Sequence, residues 1–393
     1  MNDIEDIKTQ EKNIYFLKEL LKYDFKSDID YNNRYKKVRK ELKICPSKPT
    51  LRKLYHQLLL DKKIIENKSF LHYSLKKRGK SSSGVSVITI LTSPNPEYTN
   101  FKGEKVKQNF TCGENCAYCP NEPEIILDLK ITNVNNKTIE VNTFNQDNET
   151  KLKLIRVISY ITKNNTKYNI INSYNFNKNG FKIDLETIEN LHIGDFIKGI
   201  KSAQPRSYLS TEPAVIRANR NDFNAILQIY DRTDALSNCG HNVDKIEILV
   251  LGGTWDHYPL EYQKEFIRDI YFGVNTLTNK TSKKMSLEEE IYINETSDKR
   301  LIGLTLETRP DCINIKQIRK LRKFNVTRLQ IGVQHIDNDI LENINRGCTN
   351  EDTIYGNYLW KQNGGKIDWH LMPDLPGSSL EKDINMFKKI FGV

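Results

Sequence analysis

A chain of 393 residues is too long for a peptide or a small stapled module, and long enough for two or three domains with full-sized cores. Its 60 Lys and Arg against 50 Asp and Glu leave a formal charge of +10, an excess that favours a polyanionic partner such as nucleic acid, although the abundance of Asn, Ile and Lys equally fits an AT-rich coding sequence. Seven cysteines, odd in number and unpaired in spacing, with no N-terminal apolar signal segment and no run of transmembrane length, point away from disulfides and a membrane and toward the reducing cytoplasm.

In chain order, the stretch from Asp3 to Tyr23 spaces Ile4, Ile7, Ile14, Leu17, Leu20 and Leu21 so that most share one helical face, which predicts an amphipathic helix. A second helix follows Pro49, with Leu51, Leu54, Leu58 and Leu59 apolar and Arg52, Lys53, Lys62 and Lys63 expected at exposed positions. It leads into KKRGKSSSG, a basic linker ending at Gly84. There Lys76, Lys77, Arg78 and Lys80 are candidate phosphate contacts, because each cation placed beside a polyanion releases counterions. A plain solvated linker explains the same residues. These observations define an N-terminal helical, basic region over residues 1–83.

From Val85 the pattern changes. VSVITILTS is short, β-branched and apolar, the pattern of a buried parallel strand. IEILVLGG from Ile246, IGLTLETRP from Ile302, TRLQIGVQ from Thr327 and KIDWHLMPDLPG from Lys366 repeat it, with helical segments between them. Such alternation predicts an α/β fold, a partial parallel (β/α) barrel over residues 84–122 and 203–393, with active groups at the C-terminal strand ends. Residues 123–202 differ in texture. The runs IEVNTF, LKLIRVISYI and KYNIINSYNF, separated by Asn-rich turns and closed by LHIGDFIKGIKS, predict an inserted small β-domain. The polar stretch from Asn275 to Lys299 reads as a helix with a surface loop.

The chemistry concentrates in QNFTCGENCAYCPNEP, where Cys112, Cys116 and Cys119 are separated by three residues and then two, with Tyr118 before the last. Three thiolates on one tight loop suit three irons of a 4Fe-4S cluster, a cluster that ordinarily takes four cysteines. Zinc is the main rival, but zinc loops usually bring a second Cys pair or histidines at set offsets, and Cys45, Cys239, Cys312 and Cys348 are scattered singly. The spacing is that of radical S-adenosylmethionine (SAM) enzymes, in which the open fourth iron binds SAM. On that resemblance Gly252, Gly253 and Thr254 at the end of the second strand, Glu307 at the third, Gln334 at the fourth, Asp374 at the fifth and Arg346 beyond the fourth are candidate SAM contacts. The glycines allow close backbone approach, the polar side chains offer hydrogen bonds at strand-end height, and a guanidinium can clamp a carboxylate. Each polar residue alone is as well explained as a helix cap or surface ion pair. His241, His257 and His370 share no ligand spacing and read as solvent or core residues; Trp255 reads as packing.

The motifs CAYCP, YLSTEPAVIRANR, GHNVDKIEILVLGGT, GLTLETRPD, TRLQIGVQ, NRGCT and HLMPDLPG occur here in that order. Together they resemble the elongator complex protein 3 family of radical SAM tRNA-modifying enzymes, over nearly the whole chain except the insert. The resemblance implies a 4Fe-4S cluster and SAM as cofactors, acetyl-CoA as a substrate, and carboxymethylation at carbon 5 of the wobble uridine of tRNA. It also implies that Lys245 contacts acetyl-CoA and that the N-terminal region contacts tRNA, with Elongator-like subunits or a separate acetyltransferase chain as further partners. The sequence departs from the family in three places. The family continues into a sixth barrel strand and an acetyltransferase-like domain, whereas this sequence stops at Val393; its Gly-Gly-Pro is Asn121-Glu122-Pro123 here; and Cys348 stands where it commonly has His. A non-catalytic RNA-binding remnant and a radical SAM enzyme with another acyl donor remain alternative readings.

Overall fold

The computed structural model describes residues 2–76, 82–110, 112–143, 158, 160–164, 166–174, 180–280 and 282–392. Two compact units divide the chain: Met1–Ile88 with Ile226–Leu249 and Arg268–Leu304, and Thr89–Ala225 with Val250–Ile267 and Thr305–Val393.

The first unit opens with four helices, α1 (Asn2–Leu21), α2 (Asp28–Leu42), α3 (Lys48–Leu60) and α4 (Lys68–Tyr73). Three of them start at side-chain caps, where Ser27, Ser47 and Asn67 accept the backbone N–H of the residue three positions on. Phe16, Leu17 and Leu20 meet Tyr31, Leu51, Tyr55 and Phe70 in one buried cluster, so the apolar face of α3 and the C-terminal part of that expected of α1 pack as the spacing requires, while the side chains of Ile4 and Ile7 lie outside what is described. Arg52 corrects the expectation of exposure: it is buried, donating from Nη1 to the Leu71 carbonyl at 2.6 Å and to the Ser74 hydroxyl at 2.8 Å. Its guanidinium lies where a Cβ on Gly240 would approach to 2.5 Å, so a chain reversal with φ +91° and no side chain makes room for it. Of the linker cations, Lys76 is exposed with its backbone N–H on the Cys239 carbonyl; Lys77, Arg78 and Lys80 lie outside the described residues. Within the polar stretch, Leu287–Thr296 is helical behind a Ser286–Glu289 capping box.

A five-stranded sheet has the order β1 (Ser86–Leu91), β10 (Lys245–Leu251), β11 (Arg300–Thr308), β12 (Arg328–Gln334) and β13 (Lys366–Leu371), and β12 is parallel to both neighbours. Helices such as Ile315–Lys323 and Asn350–Gln362 connect successive strands, which makes this a partial parallel (β/α) barrel. The C-terminal residues of β1, β10 and β11, and all of β12 and β13, belong to the second unit. Two short strands, β2 (Glu97–Thr99) and β3 (Lys105–Lys107), form a hairpin after β1.

Also in the second unit, β4 (Ile125–Asn135), β5 (Thr138–Thr143), β6 (Tyr160–Lys163), β7 (Thr166–Tyr174), β8 (Gly180–Leu185) and β9 (Phe196–Lys201) close into an antiparallel barrel of order β4-β5-β8-β7-β6-β9. Alternation puts Leu127, Leu129 and Ile131 of β4 inside with Ile139, Val141, Ile161, Phe181, Ile183 and Ile197. Much of the run LKLIRVISYI lies outside the described residues. Truncating the fully buried Leu129 to Ala removes about 2–5 kcal/mol of stability. A urea melt followed by circular dichroism measures it, and an unchanged midpoint would mean that the interior is not packed.

Candidate functional site

The cysteine loop is docked from several directions within the second unit. The Ala117 N–H donates to the Ile344 carbonyl at 2.9 Å, Cys119 N–H turns back to the Cys116 carbonyl at 3.0 Å, and Arg206 Nη2 holds the Asn115 side chain at 2.9 Å. Each sulfur meets a polar partner: the Thr254 hydroxyl lies 3.4 Å from Cys112 Sγ, Arg346 Nη1 3.7 Å from Cys116 Sγ, and the Ser207 hydroxyl 3.3 Å from Cys119 Sγ. Burial pushes the Cys112 thiol up, but hydrogen bonds involving His257, Thr254 and the Glu114 backbone outweigh it and bring it down to about 6. Cys312 and Cys348 contrast with it, their thiols pushed up by burial to about 12 and about 11.

Beside the loop lies a cavity of 310 Å³ lined by Gly253, Thr254, Glu307, Gln334 and Arg346 together with Tyr118, Ser207, Tyr208, His370 and Met372. Five of the seven candidate SAM contacts thus share one space. Gly252 stands just behind it with φ +134°, and a Cβ there would fall 1.9 Å from the Thr92 hydroxyl, so this turn accepts glycine alone. The Glu307 carboxylate at the end of β11 accepts the Tyr208 hydroxyl at 2.7 Å. Burial raises the pKa of Glu307, while Tyr208, His370 and the two glycine N–H groups pull the other way. Gln334 ends β12 in the left-handed region, φ +70°. Arg346 is buried, with Nη2 donating to the Gly332 carbonyl.

Asp374 does not line this cavity. Its side chain is exposed, and its backbone N–H, at φ +61°, donates to Asp383 at 2.8 Å. Asp383 also accepts the Ser378 hydroxyl at 2.6 Å and so holds the turn after β13. Lys245, exposed, opens β10 at the end opposite Gly252. His241 and Trp255 are buried, the latter among Tyr258 and Phe266. His257 departs from the solvent-or-core reading, since its Nδ1 accepts the Gly113 N–H at 2.7 Å. Tyr208, Ser207 and His370 escaped the sequence reading as site residues. Tyr208 opens a long motif with no spacing signal, Ser207 immediately precedes it, and His370 sits one residue before the end of β13.

The residues present suit a cubane with SAM. Among the described residues no three His, Cys, Asp or Glu side chains converge on one metal position, but a 4Fe-4S cluster takes each thiolate on a different iron. A lowered thiol is the form metals bind. Gln334 Oε1 and Arg346 Nε are buried without a partner beside a cavity of ligand size.

Parallel strands, a strand-end cavity and a three-cysteine loop come together in a partial parallel (β/α) barrel. Residues 258–390 match the family model described as the Radical SAM superfamily. The chain is 43% identical over 187 residues to a tRNA uridine(34) acetyltransferase of Methanocaldococcus infernus, covering 48% of this chain and 34% of that protein. It is 37% identical over 186 residues to Elongator complex protein 3 of Homo sapiens, covering 47% and 33%. The chain therefore spans about a third of the length of these curated relatives. A solved structure of the archaeal Methanocaldococcus infernus Elp3 with an N-terminal deletion aligns at 42% identity with a TM-score of 0.42, covering 44% of this chain and 39% of that one. The match to the Radical SAM superfamily implies a 4Fe-4S cluster and SAM.

Gly252→Ala is expected to destabilise the protein by about 1–3 kcal/mol through left-handed strain and the clash with Thr92. Adding Thr92→Ala recovers part of the loss in urea melts; full recovery would show that backbone strain contributes nothing. Hydrogen bonds from Ser378 and the Asp374 N–H hold the Asp383 carboxyl below its usual range. A depressed carboxyl stabilises the fold above the ordinary carboxylate pKa, and this contribution fades as pH falls through the folded value. Asp383→Asn should therefore destabilise the protein near neutrality, with the gap to the wild-type protein narrowing in acid melts; a gap independent of pH refutes this.

Proposed function

We propose that this chain is the radical SAM portion of an enzyme that carboxymethylates carbon 5 of the wobble uridine of tRNA, with acetyl-CoA as the acyl source. One observation carries the reading: five candidate residues from the ends of three strands and the segments that follow them line one cavity beside a three-cysteine loop. A 4Fe-4S cluster on Cys112, Cys116 and Cys119, with SAM on its remaining iron, supplies reductive SAM cleavage and hydrogen-atom abstraction.

This chain's own residues bind and orient. The Gly252-Gly253 turn lets a ligand approach the backbone, and Glu307, held by Tyr208, offers a carboxylate to an amino group. Gln334 Oε1 accepts and Arg346 Nε donates, two of the polar atoms that the fold leaves unpartnered there. The tRNA assignment is supported by the charge of +10 and by the names of the similar proteins. In this reading Lys76, Lys77, Arg78 and Lys80 contact tRNA, Asp374 acts at the edge of the SAM site, and Lys245 contacts acetyl-CoA.

Protein reconstituted anaerobically with iron and sulfide, then given SAM and dithionite, is expected to release 5'-deoxyadenosine. Cys112→Ala, Cys116→Ala or Cys119→Ala each reduces that release to background. A fully loaded cluster that yields no 5'-deoxyadenosine overturns the reading, and failure to retain tRNA at low salt overturns its substrate.

A further inference from the structure

His257 lies in a one-turn helix, Trp255–His257, immediately after the Gly-Gly-Thr turn of β10. The turn is rigid. The His257 N–H donates to the Thr254 carbonyl at 3.1 Å, the Trp255 ring is buried, and the Gln263 amide bridges the Trp255 carbonyl at 3.1 Å and the Tyr258 carbonyl at 2.8 Å. From this base the half-buried imidazole reaches the first limb of the cysteine loop. Its Nδ1 accepts the Gly113 N–H at 2.7 Å, its Nε2 lies 3.8 Å from Cys312 Sγ, and the ring also faces the Cys112 thiol. The fit is close, because a Cβ on Gly113 would come within 2.7 Å of His257 Cε1 and would displace the ring.

Cys112 lies between two anchored points, Phe110, whose ring stacks on Tyr258 at 4.0 Å, and the Cys116–Cys119 turn, and His257 is what holds the backbone between them. Cys116 and Cys119 stand in the part of the loop secured by the Ala117 and Cys119 backbone hydrogen bonds, whereas the Cys112 limb precedes that turn. We infer that His257 is a positioning residue for the cluster: by accepting the Gly113 N–H it fixes the Cys112 limb in the conformation that presents its sulfur to iron. This rests on the radical SAM reading of the same loop. Groups that orient a metal ligand without touching the metal typically change metal retention 10–100-fold when removed.

The test uses the full chain with its cluster reconstituted. His257→Leu removes the acceptor and should release iron to a chelator about 10-fold faster, with an altered electron paramagnetic resonance line shape in the reduced state. His257→Asn, whose Oδ1 falls near the Nδ1 position, should restore both. Gly113→Ala, which displaces the ring without changing it, should behave like the Leu variant and provides the test should that variant not fold. Wild-type chelator kinetics and line shape in folded His257→Leu and Gly113→Ala overturn the inference, as does an Asn variant no better than Leu. A wild-type chain that takes up no cluster instead overturns the radical SAM reading itself.

Discussion

The candidate site depends on one half-buried carboxylate. Glu307 at the end of β11 accepts the Tyr208 hydroxyl at 2.7 Å, and the backbone N–H groups of Gly252 and Gly253 at the end of β10 favour its ionised form. A carboxylate in this position needs such donors, because burial without them costs several kcal/mol. The donors exist because the turn after β10 is glycine at both positions, and Thr92 behind Gly252 leaves space for nothing else. Thus a tight turn, a strand-end acid and a tyrosine from a distant segment are coupled. Moving any of them exposes the others to an unsatisfied hydrogen bond.

The cysteine loop is organised on the same principle at smaller scale. Sixteen residues of polar, glycine-bearing sequence from Gln108 to Pro123 include too little apolar surface to order themselves. Order is supplied from outside: the Ile344 carbonyl, Arg206, Arg346, Thr254, Ser207 and His257 each take one contact. Tyr118 inserts beside Ile340, Leu341, Ile344 and Leu375 and gives the loop its apolar anchor. The aromatic residue before the last cysteine is therefore both a packing residue and part of the cavity wall.

What was legible in the sequence follows from this division. The strands of the parallel sheet were readable because β-branched runs such as IEILVL and RLQIGV bury one face fully and leave no position of the other fully exposed, and the cysteine spacing was readable because all three ligands share one loop. Residues whose role comes from tertiary placement were not. Arg52 sits on a helix whose spacing allowed it solvent, and its burial depends on Gly240, almost two hundred residues away in the chain. His257 meets Gly113 across a separation of 144 residues, and no local pattern announces that contact. At the turn after β13, sequence position singled out Asp374, whereas the fold uses the Asp383 carboxylate, nine residues on, to hold the Asp374 backbone.

The closed β-barrel interrupts the chain between the cysteine loop and Tyr208, a position where an insertion would be expected to scatter the site. Its ends explain why it does not. β4 and β9 pair with Ile125 opposite Lys201, so the chain leaves and returns at neighbouring points. Glu122 closes the junction: it bridges Lys201 at 3.1 Å, its carbonyl accepts the Gln204 N–H at 2.8 Å, and its other oxygen accepts the Ser210 N–H at 3.4 Å. With the insert's ends held together, the entropic penalty of its length falls within the barrel's own folding rather than on the site. The acidic residue three positions after Cys119 thereby keeps the Arg206–Tyr208 segment against the loop, and the strand-end cavity forms although the closed barrel intervenes in the chain.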